Sequence, residues 1–162
     1  MDRLNGILQK KVSLLKRMRN NMVTLAIGSD HRGFLCKQKL VTVASFSWID
    51  VGTFDENVTD YPPFAKAVVD TIVSGKAEGG ILLCGSGIGM SIAANRYKGI
   101  FAALVWNEAV VQAAKADDNA NILVIPTDFV KPELAIAMVD LWQKTVFKGG
   151  RYQARLDLID KL

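Results

Sequence analysis

The sequence has little of what metal centres and disulfide scaffolds are built from. Its 162 residues include one histidine, His31, and two cysteines, Cys36 and Cys84. Two cysteines provide no disulfide framework, so we expect a reducing, cytoplasmic location. The Cys and His spacing of a zinc site is missing, so we expect no metal. A mechanism that needs two imidazoles is excluded.

Long hydrophobic runs are also missing. No apolar stretch reaches the length that spans a bilayer, so we expect no membrane partner. Half of the residues are hydrophobic and 22% are charged, a balance typical of globular rather than disordered chains. A chain of this length can form one domain with a substantial core, and it shows no internal repeat and no interdomain linker.

The excess positive charge is confined to the N-terminal segment, residues 1–21. The whole chain has a net charge of +4. The segment has six basic residues and one acidic residue, hence +5, while the remainder has 14 basic and 15 acidic residues, hence −1. Residues 22–162 are therefore close to neutral, which argues against a nucleic-acid-binding domain.

Residues 1–21 allow three interpretations. A secretory signal would have a longer apolar stretch and a small-residue cleavage site, and both are missing. A weak apolar stripe would fit an amphipathic helix on a membrane surface. We favour a basic N-terminal extension, disordered or helical, in front of a domain at 22–162, because the first predicted strand starts directly after Met22.

Short apolar runs alternate with helical patterns along the rest of the chain. The predicted strands are 23–27, 48–51, 81–83, 100–105 and 122–125. The predicted helices are 34–44, 64–72, 90–95, 108–116, 132–147 and 151–162. Continuous apolar strands separated by helices indicate a parallel sheet covered on both faces. We predict an α/β fold with one doubly wound, five-stranded parallel sheet, Rossmann-like or flavodoxin-like, and a C-terminal helix.

Polar and reactive residues follow the predicted strands at the points where the strands end. Asp30-His31 follows the first strand, Cys84 ends the third, Trp106-Asn107 follows the fourth and Thr127-Asp128 follows the fifth. In such sheets ligands bind outside the carboxyl ends of the strands, where the strand order reverses. The convergence of these residues therefore predicts a ligand site at that edge.

The segment Cys84-Gly-Ser-Gly-Ile-Gly89 combines a thiol with a glycine turn before a helix. Glycines let the backbone approach an anion, and the N–H groups at a helix start bind negative charge. A thiol at that position is expected to have a lowered pKa, which would give a base or nucleophile beside an oxyanion site. The alternative is a buried cysteine beside a packing turn.

Other candidate residues are ambiguous when taken singly. Asp30 and His31 could bind phosphate or move protons, or they could be a helix cap and an exposed histidine. Arg151 and Arg155 share one helix face, and they could clamp a phosphate by bidentate contacts or form a solvated basic surface.

Taken together, these motifs resemble the ribose/galactose isomerase family. The matching segments are 27–34, 50–53, 59–62, 79–95, 119–121 and 149–151 with Arg155. They occur in family order, and 79–95 is the most specific. The resemblance implies an aldose–ketose isomerase that acts on sugar phosphates without a cofactor. Among the reactions that the resemblance implies, we expect first the interconversion of ribose 5-phosphate and ribulose 5-phosphate, a step of the pentose phosphate pathway.

The resemblance also implies a catalytic centre. A thiolate at Cys84 would take the proton from C2 of the sugar, form a cis-enediolate and return the proton to C1. Backbone N–H groups of the turn that contains Gly85, Gly87 and Gly89 would stabilise the enediolate oxygen. Ser86 would retain the hydroxyl of the threonine that the family usually has.

Substrate binding and assembly are implied in the same way. His31, Arg151 and Arg155 match positions that bind phosphate, and Asp30 and Tyr61 match positions that contact the sugar. The resemblance implies a homodimer or tetramer in which each active site is shared between subunits. We expect no nucleic-acid partner.

Two departures from the family pattern stand out. Asp117-Asp118 occupies the place of a His-Asn pair whose histidine helps to open the furanose ring, so Asp117 is the candidate ring-opening residue and Asp118 a candidate substrate contact. Asp128 stands where a second phosphate-binding arginine is expected. Acidic groups there would repel an anionic substrate unless other cations, with Lys115 and Arg96 as candidates, lie nearby.

Two alternatives to pentose isomerisation stay open. One is isomerisation of another aldose phosphate, such as galactose 6-phosphate. The other is a catalytically impaired protein that binds sugar phosphates. The presence of Cys84 favours the pentose isomerase over both, whereas Asp117 and Asp128 keep the second alternative open.

Overall fold

A computed structural model describes residues 22–162 of the chain. The basic segment at residues 1–21, predicted as an extension, lies outside the described residues. Five strands form one parallel sheet: β1 Thr24–Ser29, β2 Ser47–Asp50, β3 Gly79–Cys84, β4 Ala102–Leu104 and β5 Ile122–Pro126. Their spatial order is β2-β1-β3-β5-β4. The predicted α/β architecture is confirmed.

Helices connect the strands and cover both faces of the sheet. Within the described part they are α1 Phe34–Leu40, α2 Pro62–Val73, α3 Ile88–Ala94, α4 Glu108–Ala116, α5 Pro132–Lys144 and α6 Arg151–Ile159. Alternate residues of the buried strands point to opposite faces, so Ile81 and Leu83 pack with α1, α4 and α5, whereas Leu82 and Cys84 pack with α2 and α3. Between residues 22 and 162, no helix is both long and apolar enough to cross a bilayer.

Besides the C-terminal helix, which is predicted to reach 162 and ends at Ile159, two other helices end at least three residues earlier than the sequence pattern predicts. The first was expected to reach residue 44 but ends at Leu40, where the hydroxyl of Thr42 donates to the carbonyl of Lys39 at 2.7 Å. The long helix was expected to reach 147 but ends at Lys144, because Thr145 is extended with ψ 130°. Both ends meet β-branched residues, which lose side-chain freedom in a helix and favour extended backbone.

A buried ion pair fixes α1 to the end of β2. The side chain of Lys37 is fully buried, and its Nζ lies 2.6 Å from Oδ1 of Asp50. The same oxygen accepts the backbone N–H of Gly52 at 2.9 Å, and the ring of Phe54 lies with its centroid 5.0 Å from the ammonium. Since α1 follows the turn after β1 directly, this pair also fixes the turn that carries Asp30.

Replacement of Lys37 by Met is expected to destabilise the fold. The variant would leave the carboxylate of Asp50, itself mostly buried, without its cation, at a cost of about 2–4 kcal/mol. Lys39→Met is the matched control, because Lys39 lies on the same helix and its partner Glu133 is exposed. Chemical denaturation should show a large loss of unfolding free energy for Lys37→Met and almost none for Lys39→Met. Equal losses would contradict a special role for the buried pair.

Candidate active site

The polar edge of the sheet is centred on the neighbouring strands β1 and β3. The chain leaves β1 toward β2 on one side, and β3 lies on the other side, so the strand order reverses between them. Ser29 is paired with Leu83, and Cys84 with Pro126. The residues that follow β1, β3 and β5 are therefore neighbours at one edge, as the sequence predicts.

Cys84 is the buried centre of this edge. Its side chain is 5% exposed, and Sγ accepts the backbone N–H of Gly87 at 3.1 Å. Gly87 precedes α3 in the left-handed conformation, with φ 75°. A Cβ at residue 87 would also lie 2.3 Å from a methyl carbon of Leu104. Only glycine at position 87 therefore lets the turn place this backbone N–H within hydrogen-bonding distance of the Cys84 sulfur.

The expected lowering of the Cys84 pKa is wrong for the chain as described. Burial raises the pKa of this thiol above its ordinary value, because the thiolate loses its hydration. The N–H groups of Gly87 and Met90 and the charge of Arg32 act in the opposite direction, and the carboxylate of Asp30 adds to the increase. A seven-residue helix start does not outweigh the loss of solvent.

Asp30 and His31 have distinct local roles. Oδ1 of Asp30 accepts the backbone N–H groups of Arg32 at 2.9 Å and Gly33 at 3.1 Å, and it thereby closes the turn into α1. Nδ1 of His31 accepts the backbone N–H of Thr59 at 3.3 Å. Because an accepting ring nitrogen carries no proton, the neutral imidazole is protonated at Nε2, which can donate to a ligand.

The glycine turn makes room for two flanking side chains. A Cβ on Gly89 would lie 2.5 Å from Cζ of Tyr61, so the tyrosine ring packs directly against that glycine. A Cβ on Gly85 would lie 2.3 Å from Cζ of Arg32. Ser86 is partly buried, and its Oγ accepts the N–H of Ile88 at 3.4 Å. The edge thus holds a thiol, backbone donors, an imidazole, a phenol and a guanidinium.

Arg32 is a component that the sequence analysis did not assign. Its Nη2 forms an ion pair with Oδ2 of Asp128, and its carbonyl accepts the hydroxyl of Thr127 at 3.1 Å. The signals available in the sequence were its position directly after His31 and the acidic residue after β5. Their pairing depends on the order of the strands, which the sequence pattern did not specify.

A second cluster lies at the opposite edge of the sheet. Helix α4 starts at the carboxyl edge and runs back, so Asp117, which follows it, lies at the amino edge where β5 begins. Lys148 donates to the carbonyl of Ala116 at 2.9 Å, and its Nζ lies 2.6 Å from Oδ1 of Asp117. Arg151 begins α6 three residues later. At about 3.3 Å per residue, the six residues of β3 separate the two edges by about 16 Å.

The predicted site residues therefore fall into two groups within one chain. Cys84, Ser86, the three glycines, Asp30, His31 and Tyr61 come together at the carboxyl edge. Asp117, Asp118, Arg151 and Arg155 do not join them. Asp118 and both arginines are exposed, and the ring of Tyr152 lies 5.0 Å from Arg151 Cζ and 5.6 Å from Arg155 Cζ.

Comparison with known proteins supports the resemblance seen in the motifs. A family model described as Ribose/Galactose Isomerase matches residues 25–159. The chain belongs to the ribose/galactose isomerase family. It is 37% identical over 141 residues to ribose-5-phosphate isomerase B of Escherichia coli K12, a match that covers 85% of this chain and 95% of that protein.

Solved structures of family members have the same fold. A ribose 5-phosphate isomerase from Thermotoga maritima is 45% identical, with a TM-score of 0.84 over 86% of this chain and 99% of that one. Ribose-5-phosphate isomerase B from Mycoplasma genitalium, solved with bound ribulose-5-phosphate, is 37% identical, with a TM-score of 0.80 over 87% and 97% of the two chains.

The structure resolves one of the two departures from the family pattern. Asp128 is not an uncompensated negative charge at the carboxyl edge, because Arg32 pairs with it. The cations suggested from sequence lie elsewhere: Lys115 donates to Asn119 at 2.9 Å beyond the amino edge, and Arg96 follows the C-terminal end of α3. The compensating cation in this family member is Arg32.

The raised pKa of Cys84 predicts alkaline activation of its thiol. The thiolate fraction, and with it the rate of alkylation by iodoacetamide, should increase as the pH is raised from 7 to 9. Cys36, whose pKa burial raises to about 11, should react much more slowly throughout. Peptide mass spectrometry after timed alkylation would measure both rates. If the alkylation rate of Cys84 is already at its maximum at pH 7 and does not increase up to pH 9, the pKa of this thiol is lowered and not raised.

Proposed function

We propose that this protein interconverts ribose 5-phosphate and ribulose 5-phosphate in the cytoplasm, as a step of the pentose phosphate pathway. The observation that carries the proposal is the position of Cys84, buried at the reversal point of the sheet with its sulfur against a glycine turn. Support also comes from a relative of the same fold whose structure holds ribulose-5-phosphate.

The reaction requires a base, an oxyanion site and a phosphate anchor. In the proposed mechanism the thiolate of Cys84 removes the proton at C2 of the open-chain aldose, and the electron pair moves to the carbonyl oxygen to give an enediolate. Backbone N–H groups of the turn Gly85–Gly89 stabilise the developing charge. The thiol then returns the proton to C1, while a proton transfer between the two oxygens completes the ketose.

The enclosed position of Cys84 suits this chemistry despite its raised pKa. A general base is most effective when its pKa lies close to the working pH, so the raised pKa lowers the thiolate fraction, and it is the exclusion of water that favours the enclosed position. Exclusion of water strengthens the interaction between the enediolate and the backbone donors. Nε2–H of His31 and the hydroxyl of Tyr61 lie at the same edge, where we propose that they orient the sugar phosphate.

A second copy of this chain would complete the site. Arg151 and Arg155 lie at the opposite edge from Cys84 within one chain, so they can serve that thiol only from another subunit. The exposed side chains of Ile88 and Ile92, which share one face of α3 beside the glycine turn, are 57% and 63% exposed and suit such an interface. We propose a homodimer, or a tetramer built from it, with each active site shared.

Asp117 and Asp118 would enter the site with these arginines. In that arrangement Asp117 takes the ring-opening position, and Lys148 at 2.6 Å balances its charge. The acidic pair would then not repel the phosphate, because Arg151 and Arg155 accompany it on the same part of the chain.

Substitution of Cys84 by Ala should abolish isomerisation while leaving the fold and sugar-phosphate binding nearly intact. Loss of a positioned base should lower kcat by at least about 100-fold. Cys36→Ala is the matched control, because Cys36 belongs to α1 and is buried on the opposite face of the sheet from Cys84, and it should retain turnover. A coupled assay with ribose 5-phosphate and galactose 6-phosphate would measure both rates and the sugar preference. Near-normal turnover of Cys84→Ala would exclude this residue as the base.

Mixing two inactive variants tests whether the site is shared. Cys84→Ala and the double variant Arg151→Ala/Arg155→Ala should each be inactive alone. After denaturation and joint refolding at equal amounts, half of the dimers are mixed, and each mixed dimer contains one intact site. Activity should therefore return to about one quarter of the wild-type level, since non-covalent dimers re-form by random association. No recovery, with dimers confirmed by sedimentation, would place both groups in one subunit's site.

A further inference from the structure

The guanidinium of Arg32 lies directly on the turn that carries the proposed oxyanion donors. A Cβ on Gly85 would come within 2.3 Å of Cζ, 2.4 Å of Nε and 2.6 Å of Nη1 of this arginine. The guanidinium therefore fills the space that any side chain at residue 85 would need. Gly85 adjoins Cys84, so this charge is within reach of a ligand bound at the thiol.

Both the backbone and the side chain of Arg32 are held against the loop after β5. The hydroxyl of Thr127 donates to the carbonyl of Arg32 and to that of Cys84, each at 3.1 Å. The carboxylate of Asp128 pairs with Nη2, while its own backbone N–H donates to the carbonyl of Gly85 at 3.1 Å. The loops after β1, β3 and β5 thus fix one guanidinium between them.

Arg32 also gives this edge an exposed positive charge, whereas the charge of Lys37 is buried. Of the described residues that directly follow the five strands (30–32, 51–53, 85–87, 105–107 and 127–128), Arg32 is the one arginine or lysine. Asp30 and Asp128 lie at the same edge, so without Arg32 the entrance would be acidic. An anionic substrate could then approach only against like charge.

The arginine keeps donors available for a ligand. Its side chain is 53% exposed, and that of Asp128 is 36% exposed. A guanidinium has five N–H donors in a planar fork. Within residues 22–162 the guanidinium of Arg32 forms one side-chain hydrogen bond, to Asp128. An ion pair this exposed adds little to stability, so folding alone does not account for a cation held by three loops.

We propose that Arg32 is a phosphate-binding residue of the active site. It supplies, from the loop after β1, the guanidinium that the family pattern places after β5, and Asp128 at that position orients it. The inference rests on the proposed function for the identity of the bound group, the phosphate of a sugar phosphate. Arginine suits the role because its fork can bind two phosphate oxygens at once.

Phosphate binding can be measured without turnover. Isothermal titration of the full chain with inorganic phosphate, at constant ionic strength, should give a dissociation constant about 10- to 100-fold higher for Arg32→Ala than for the wild type, the loss expected for charge-assisted hydrogen bonds. Arg32→Lys should fall between the two, because it keeps the charge and loses the fork. Lys39→Ala, which removes a positive charge from the exposed face of α1, is the matched control and should bind like the wild type.

A relocation variant tests the geometry. Arg32→Ala/Asp128→Arg moves the guanidinium to the loop after β5 and should recover most of the phosphate affinity that Arg32→Ala loses. Thermal unfolding of each variant would show whether it is folded, and Arg32→Lys provides the comparison if Arg32→Ala is not. Wild-type affinity in folded Arg32→Ala overturns the inference. So does an equal loss in Lys39→Ala, which would reveal a dependence on net charge alone.

The outcome is separable from that of the proposed function. If the wild type isomerises ribose 5-phosphate and Arg32→Ala keeps both its phosphate affinity and its KM, the inference fails and the function stands. If phosphate binds through Arg32 but no sugar phosphate is isomerised, the proposed function fails and the binding role stands. With both correct, Arg32→Ala raises KM by about 10-fold or more and changes kcat much less.

Discussion

The pairing of β1 with β3 is the contact on which the site depends. Their parallel register places Ser29 beside Leu83, so the turn after β1 and the turn after β3 start side by side. Gly33 lets the first turn pack against the second, because a Cβ there would lie 2.6 Å from the carbonyl oxygen of Leu83. Asp30, which caps the first turn, is close enough to raise the pKa of Cys84. A slip of this register would separate the thiol from the residues of the β1 turn.

Charge at this edge is balanced pair by pair and not by an excess of one sign. The carboxylate of Asp30 is satisfied by backbone N–H groups, Asp50 by the ammonium of Lys37 and Asp128 by the guanidinium of Arg32. Of these, the pair of Arg32 and Asp128 is exposed enough to meet a ligand. The edge can therefore stay close to neutral overall and still present a directed positive charge beside Cys84.

The fold could be read from the sequence because its signals are local. Continuous apolar runs mark strands that are buried on both faces, and the amphipathic patterns between them mark helices. The motif from Gly79 to Asn95 placed the thiol and the glycine turn correctly. The errors came where local chemistry competes with periodicity, as at Thr42 and Thr145, whose hydroxyls bond to carbonyls of the preceding turn. The protonation of Cys84 was also misjudged, because its burial is set by residues distant in the sequence.

The α/β class, the strand ends that carry chemistry and the family all follow from the amino-acid sequence, since each depends on residues close together along the chain. Which of those strand ends meet depends on how the folded chain packs in three dimensions. This packing brings Arg32 to Asp128, 96 positions away, and places Asp117 and Arg151 at the edge opposite Cys84. Strand order and helix direction arise from the packing of the whole sheet, which no local sequence pattern contains. Electrostatic interactions depend on distance in space, so residues far apart in the sequence can form an ion pair.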